Sequence, residues 1–142
     1  MVTTMTGELI IPMLGTPAAV GLARTLSDAR LHKWDYLHIR DDALLVVAEL
    51  VGNAAEETPN KQIVFQFTRD SSEITIAVWD SSPRLPERKP TVELTLDDLD
   101  LSEENFDNNG GWGLSLVHSL SAACGVTCLP GGGKWVWARM RP

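Results

Sequence analysis

Two parts of the chain, about sixty residues apart, combine residue types that suit a nucleotide site better than simple packing. Glu49 and Asn53 are four residues apart, so a helix over this stretch places a carboxylate and a carboxamide on one face. Gly111 and Gly113 precede an apolar helical pattern, and a glycine turn that opens a helix offers backbone N–H groups where phosphate could bind. Each signal is weak alone, and their combination directs attention to the elements that must position them.

Composition bounds what kind of protein carries these residues. The 142 residues are enough for one domain with a real core and too few for two ordinary ones, so we expect a single domain over residues 1–142, with its core at about 16–141. The 12 basic and 19 acidic side chains give a net charge of −7, which argues against direct nucleic-acid binding and against an anionic membrane surface. A phosphate would therefore be held locally, by backbone N–H groups, a lysine or a metal ion.

Targeting signals are not evident in the sequence. Residues 1–15 lack the basic start of a secretory signal, and no apolar run approaches the roughly 20 residues that span a bilayer. We expect a cytoplasmic protein. The three histidines have no metal-ligand spacing, and Cys124 and Cys128 fit neither a disulfide framework nor a zinc motif, so we interpret both cysteines as reduced core thiols.

Two helices are predicted in the first half of the chain. The first begins at Thr16 and Pro17 and ends near Leu31, and the second covers residues 41–57, with two aspartates in its first turn. On a wheel of the second helix, Glu49 and Asn53 lie opposite an apolar side that should pack on a sheet. That apolar side consists of Ala43, Leu44, Val47, Val51 and Ala54.

A β-hairpin follows, and its second strand ends in a carboxylate. Apolar residues alternate over residues 63–67 and again over residues 74–78, with a turn at residues 70–72. Asp80 continues the second alternating series, so its side chain points to the buried side, where it needs a hydrogen-bond donor. Asp80 is therefore a candidate ligand contact; the other interpretation is a strand-end aspartate that caps the turn at residues 81–83.

The second half of the chain begins with a long irregular segment. We interpret residues of about 84–112 as a lid, with one short helix near residues 96–106. A third helix follows the glycines and includes Leu114, and Gly125 then interrupts the pattern before a strand at residues 126–129. Glycines at residues 131–133 turn the chain into a last strand at residues 135–140. These elements predict an α+β two-layer sandwich, a mostly antiparallel sheet with helices on one face.

Four segments follow one another in the order found in one known family. They are residues 49–54 (ELVGNA), Asp80 at a strand end, residues 111–117 (GWGLSLV) and residues 133–138 (GKWVWA). This order resembles the histidine-kinase-like (GHKL, Bergerat-fold) ATP-binding domain over residues 16–141. Within that superfamily the chain is most similar to bacterial anti-sigma-factor serine kinases and to the related actinomycete regulatory ATP-binding proteins.

The resemblance implies ATP and Mg²⁺ as cofactors and assigns roles to individual residues. By that likeness Asn53 would coordinate the magnesium ion on the phosphates, and Glu49 would polarise the attacking hydroxyl or water as the catalytic residue. Asp80 would accept a hydrogen bond from the adenine amino group. In each case the residue type at this position matches the family's.

Further nucleotide contacts are implied by the resemblance in the second half of the chain. Gly111 and Gly113 match the lid glycines at the phosphates, with Leu114 opening the helix, and Lys134 lies in the closing hairpin. Trp135 departs from the family, which commonly has a small hydroxyl residue near adenine there, and this substitution could narrow the pocket. Other departures are the glycine-free segment after Asp80 and the negative charges of residues 56–57 beside the phosphate site.

The resemblance implies a regulatory protein kinase and leaves alternatives open. It would bind a sigma factor or an anti-sigma-factor antagonist protein, phosphorylate a serine or threonine of the antagonist, and act as a homodimer. The alternative is a catalytically inactive protein-binding module of the same fold that has lost ATP turnover. A third interpretation is a fragment of a sensor-kinase ATPase. It is the weaker one, because we see no phosphoacceptor helix pair ahead of the domain in this sequence.

Overall fold

A five-stranded antiparallel sheet with helices packed on it forms the part of the chain that the computed structural model describes, residues 8–83 and 111–142. The strand order is β1-β2-β3-β5-β4, and every neighbouring pair is antiparallel. In chain order the elements are β1 (Leu9–Leu14), α1 (Pro17–Lys33), α2 (Arg40–Glu57), β2 (Gln62–Arg69), β3 (Ile74–Asp80), α3 (Gly111–Leu120), β4 (Ala123–Cys128) and β5 (Lys134–Met140).

The predicted α+β two-layer sandwich is confirmed by this architecture. Alternate residues of β2, β3 and β5 are buried, as expected when one face of a sheet is covered. The covering layer is built around α2, which packs against α1, α3 and β3. The largest side chains of the shared core include Phe65, Phe67, Leu31, Leu50 and Ile76.

The edge strand β1 was not predicted. Its sequence lacks an alternating pattern and contains Pro12, which normally argues against a strand. In the sheet of the described residues β1 lies at the edge and pairs with β2 alone, so a proline that cannot donate a backbone hydrogen bond is tolerated there. Leu9 and Met13 point into the core and Leu14 stays exposed.

The strand predicted at residues 126–129 begins earlier, and Gly125 lies inside it. β4 runs from Ala123 to Cys128, and Gly125 is paired with Trp137 of β5. A Cβ at Gly125 would come within 2.8 Å of the Trp137 ring, so glycine is required by the indole that covers it. The glycine therefore marks a close approach within the strand.

One of the two cysteines of β4 differs from the prediction that both are core thiols. Cys124 is half-buried and packs against the core, whereas Cys128 is exposed on β4, the other edge strand of the sheet. Within residues 8–83 and 111–142, no helix has both the length and the apolar character that a bilayer crossing requires. Most of the predicted lid, including its short helix, lies outside the described residues.

Candidate functional site

Asp80 and Lys134 form a buried ion pair at the end of the sheet. They are directly opposite each other on β3 and β5, and the Lys134 Nζ lies 2.7 Å from the Asp80 Oδ1. Both side chains are only 2% exposed. Burying a carboxylate is costly unless it has charged or hydrogen-bonding partners, and Lys134 supplies both kinds of stabilisation. The donor that the sequence required for Asp80 is therefore found on the neighbouring strand.

Ser82 connects this pair to the C-terminal end of α2. Its backbone N–H donates to the Asp80 Oδ1 at 2.9 Å, and the Lys134 ammonium approaches its carbonyl oxygen at 3.4 Å. Its hydroxyl donates to the Glu57 Oε2 at 3.2 Å. The last turn of α2 and the ends of β3 and β5 are thereby joined into one polar cluster under the helical layer.

The cluster was only partly predicted from the sequence. Asp80 was found because it continues an apolar alternation, and Lys134 does the same ahead of Val136 and Ala138, so the same signal marks it. The alternative interpretation, in which Asp80 caps the turn at residues 81–83, is also confirmed, because the Asp80 Oδ1 accepts from the Ser82 backbone N–H. The contact between Ser82 and Glu57 was not predicted. Their hydrogen bond joins residues that are 25 positions apart, and no sequence pattern indicates it.

Glu49, Asn53 and Glu57 form a stripe along α2, each one turn after the other. At a rise of about 1.5 Å per residue, Asn53 lies about 6 Å along the helix from Glu57, which contacts the Asp80 cluster through Ser82. The predicted carboxylate and carboxamide are thus brought to the same helix face that ends at Asp80.

The stripe lies at the border of the buried face of α2. The helical wheel had placed these residues on the side opposite to that face. Val46 and Leu50 are buried in addition to the predicted apolar side, so the buried arc extends toward Glu49 and Asn53. Both polar residues are consequently half-buried. The Asn53 Nδ2 is fully buried and has no hydrogen-bond partner among the residues that the structure describes, an exception to the rule that such groups are satisfied.

Burial, and then the negative charge of Glu56, raise the pKa of the Glu49 carboxyl above its ordinary value. Both effects disfavour the charged form, because the group loses water and faces a like charge two turns along the helix. A carboxylate with a raised pKa is a better proton acceptor than a fully solvated one.

The predicted phosphate-binding glycines lie at the start of α3. Gly111, Gly113 and Leu114 are all within this ten-residue helix, which confirms the helix that was expected there. α3 packs against α2, so its backbone belongs to the same layer as the Glu49 stripe. The structure describes the backbone of these residues, and their phosphate role stays a prediction.

Trp135 does not narrow a pocket at Asp80. It follows Lys134 by one residue, so its side chain is on the opposite, outer face of the sheet. There it pairs with Trp79 on one side and Thr127 on the other. The residue beside Asp80 on the inner face is Lys134, and the expectation that Trp135 could restrict the base is wrong.

The residues at this site fit a magnesium ion bound through a nucleotide. Asn53 offers an amide oxygen on the half-buried stripe, and within residues 8–83 and 111–142 its amide nitrogen has no partner that would fix the group in another role. Magnesium takes few protein ligands and keeps waters and phosphate oxygens. Among residues 8–83 and 111–142, no group of three or more His, Cys, Asp or Glu side chains is placed to hold a metal ion.

Comparison with known proteins identifies a family that covers most of the chain. A search of curated proteins finds no match. A family model described as the histidine kinase-like ATPase domain matches residues 17–140, which includes every site residue named above. The chain therefore belongs to the histidine kinase-like ATPase domain family.

Proposed function

We propose that this ATP-binding domain is a protein serine/threonine kinase of the anti-sigma-factor type, which regulates transcription by binding a partner and phosphorylating an antagonist protein. One observation carries the kinase proposal. Glu49, with its raised pKa, lies one helical turn from Asn53 on the stripe that leads to Asp80. A domain that only held nucleotide would not need a proton acceptor beside the phosphate-binding residue.

In the proposed mechanism, three side chains act on different parts of ATP. Asp80 accepts a hydrogen bond from the adenine amino group, and Asn53 holds the magnesium ion at the phosphates. When bound, that ion neutralises charge on the phosphates. Glu49 accepts the proton of the serine or threonine hydroxyl as its oxygen bonds to the γ-phosphorus, while the bond from that phosphorus to the β-phosphate oxygen breaks and ADP leaves. The main contribution to rate is positioning.

The N-terminal turn of α3 contributes backbone N–H groups. Gly111 and Gly113 in the first turn of α3 would direct N–H groups to the phosphates, with the positive end of the helix dipole behind them. Leu114 continues that turn. Lys134 contributes to the base end of the site through Asp80, to which it is bonded.

We also propose that the protein acts as a homodimer that holds a sigma factor or its antagonist. The edge strand β1 supports a contact between protein chains, because it exposes Ile10 and Leu14 and, among the described residues, has a strand on one side only. Light scattering should give twice the monomer mass, and Leu14→Glu should reduce it to that of the monomer. A monomeric mass for the unaltered protein would refute the dimer.

Transfer of the labelled γ-phosphate to a protein tests the kinase proposal. The purified protein would be incubated with labelled ATP, magnesium and each protein encoded beside it, and the modified residue located by mass spectrometry. We expect phosphoserine or phosphothreonine in one of them, lost in Glu49→Ala and kept in Asp42→Ala, a control on an exposed carboxylate of the same helix.

The alternative, a protein-binding module without turnover, gives a different result. Such a module would still bind a neighbouring protein but would transfer no phosphate to it under any nucleotide condition. Equal transfer by the unaltered protein and by Glu49→Ala would refute the role of Glu49 as the base.

A further inference from the structure

We propose that Lys134 is a positioning residue that sets base selectivity, by holding Asp80 so that the site accepts a base with an amino group and rejects one with a keto group. This inference rests on the proposed binding of ATP. It goes beyond it by assigning the selectivity to a lysine that is itself buried beneath the site.

The two oxygens of the Asp80 carboxylate have different surroundings. Oδ1 accepts from the Lys134 Nζ at 2.7 Å and from the Ser82 N–H at 2.9 Å. Oδ2 accepts no hydrogen bond from the residues that the structure describes. Oδ2 is not one of the fully buried unpaired atoms of the described residues, so part of its surface is open and a ligand donor can reach it.

The chemistry of a carboxylate makes this oxygen selective. An ionised carboxylate only accepts hydrogen bonds, so it pairs with an exocyclic amino group and repels the lone pairs of a keto oxygen. A site built around one such buried contact rejects an analogue that cannot make it, because the polar group of the protein is then left unpaired. Selectivity for adenine over hypoxanthine follows from these rules.

Lys134 fixes the orientation of the Asp80 carboxylate. Its ammonium is the cation paired with Asp80 among the described residues, and the rigid pairing of β3 with β5 places the two residues opposite each other. Glu57, which reaches the cluster through Ser82, adds a further carboxylate and no positive charge. Without Lys134, the buried carboxylate loses its charged partner and Oδ1 keeps only the Ser82 N–H, so the orientation of the carboxylate is less firmly fixed.

The Lys134 ammonium acts through Asp80 because it is itself sequestered. The residue is 1% exposed, and its hydrogen bonds go to the Asp80 Oδ1 and the Ser82 carbonyl. A lysine that bound phosphate directly would present its ammonium at the surface of the site. Loss of Lys134 should therefore alter recognition of the base and leave the contribution of the phosphates to nucleotide affinity unchanged.

The test compares ATP with ITP, whose base carries a keto oxygen in place of the amino group. Affinities of both nucleotides, with magnesium, would be measured by titration for the unaltered protein, Lys134→Met and Lys33→Met. The last is a control that removes an exposed lysine at the end of α1. We expect Lys134→Met to weaken the affinity for ATP by about tenfold or more and the affinity for ITP by less than about threefold. The ratio of the two affinities should therefore decrease. Lys33→Met should keep the original ratio.

A second variant covers the case in which Lys134→Met does not fold. The double variant Asp80→Asn with Lys134→Met removes both charges together, and replacing a complete buried pair is far better tolerated than breaking it. The asparagine amide introduced at position 80 carries both a donor and an acceptor, so the affinities for ATP and ITP should agree within about threefold.

The possible outcomes separate this inference from the proposed function. If the unaltered protein prefers ATP and Lys134→Met weakens both nucleotides equally, or keeps the original ratio, Lys134 has no role in selectivity while ATP binding stands. If the double variant keeps the ratio of ATP to ITP affinity that the unaltered protein has, Lys134 likewise has no role in selectivity. If the unaltered protein binds neither nucleotide, the proposed function and this inference both fail.

Discussion

The carboxylates of Glu49 and Glu56 lie two turns apart along α2, and the charge of Glu56 adds to burial in raising the pKa of Glu49. Glu56 is exposed, whereas Glu49 is half-buried at the border of the helical layer. Glu56, whose charge is unfavourable for phosphate binding, thus makes Glu49 a stronger base, which the proposed mechanism needs.

Replacing Glu56 should move the pH dependence of phosphoryl transfer. The base must be deprotonated, so the rate rises with pH through the raised pKa of Glu49. In Glu56→Gln the like charge is absent, and this rise should move to lower pH, but only part of the way because burial is the larger cause. The measurement is the transfer rate against pH. Asp42→Asn, on the other side of Glu49 along α2, is the control and should leave the profile in place; an identical shift in both variants would contradict the account.

Replacing Glu49 itself should stabilise the fold at neutral pH. The raised pKa means that the folded state binds the proton more tightly than the unfolded state, so this group's contribution to stability decreases as pH rises above its ordinary value of 4.5. Glu49→Gln should therefore raise the free energy of unfolding at about pH 7 by less than about 1 kcal/mol, since the group is half-exposed, and by less at about pH 4. Urea unfolding at both pH values measures this. A variant that is less stable at neutral pH would show that the Glu49 charge is favourably paired.

Asn53→Ala should abolish the magnesium dependence of ATP binding and leave the fold intact. The buried Nδ2 has no partner in the described part of the chain, so the variant loses no hydrogen bond to those residues at that atom. We expect equal ATP affinities with and without magnesium, together with an unchanged thermal transition. Gln62→Ala, which removes an exposed carboxamide at the start of β2, should keep the dependence. Magnesium-dependent binding in Asn53→Ala would remove Asn53 from the site.

Gly133→Ala should destabilise the protein, and Gly131→Ala should not. Gly133 has a φ of 82°, and a Cβ there would come within 2.7 Å of the Asp80 carbonyl oxygen and 2.6 Å of the Trp79 ring. Strain of this kind costs about 1–3 kcal/mol, whereas a Cβ at Gly131 meets nothing within 4 Å. Urea midpoints of the two variants measure the difference. Equal midpoints would mean that the turn before Lys134 adjusts without cost.

Trp135→Thr should leave ATP affinity within about twofold of the original, because the indole lies on the outer face of the sheet and Asp80 on the inner one. Trp137→Phe is a matched change on the same face, where the lost hydrogen bond to Thr127 should lower stability and not nucleotide affinity. Both affinities can be measured by titration with ATP and magnesium. A large gain in affinity for Trp135→Thr would show that the indole restricts the base.

Local patterns were enough to predict the elements that carry the site. The 3.6-residue period placed Glu49 and Asn53 on one face of α2, and the two-residue period placed Asp80 on the buried side of β3. Each of these conclusions depends on neighbours within a few positions. Nothing in such a pattern states how strands that are far apart pair, so the contact between Asp80 and Lys134, separated by 54 residues, appeared only in the structure.

The errors have the same physical origin. Trp135 was interpreted through its position in the family order, although the alternation of β5 puts it on the face opposite to Lys134. Gly125 was interpreted as a break because the ring of Trp137 above it is contributed by another strand. Proline in β1 is acceptable because that strand is at an edge, which is a property of the whole sheet.

Calorimetric titration of the purified protein with ATP, in the presence and absence of magnesium, tests the central claim most directly. Binding through Asp80 at the base and Asn53 at the phosphates predicts saturable heat that is stronger with magnesium. The absence of saturable binding at millimolar ATP in either condition would contradict it, and the buried Asp80–Lys134 pair would then be a purely structural contact of the sheet.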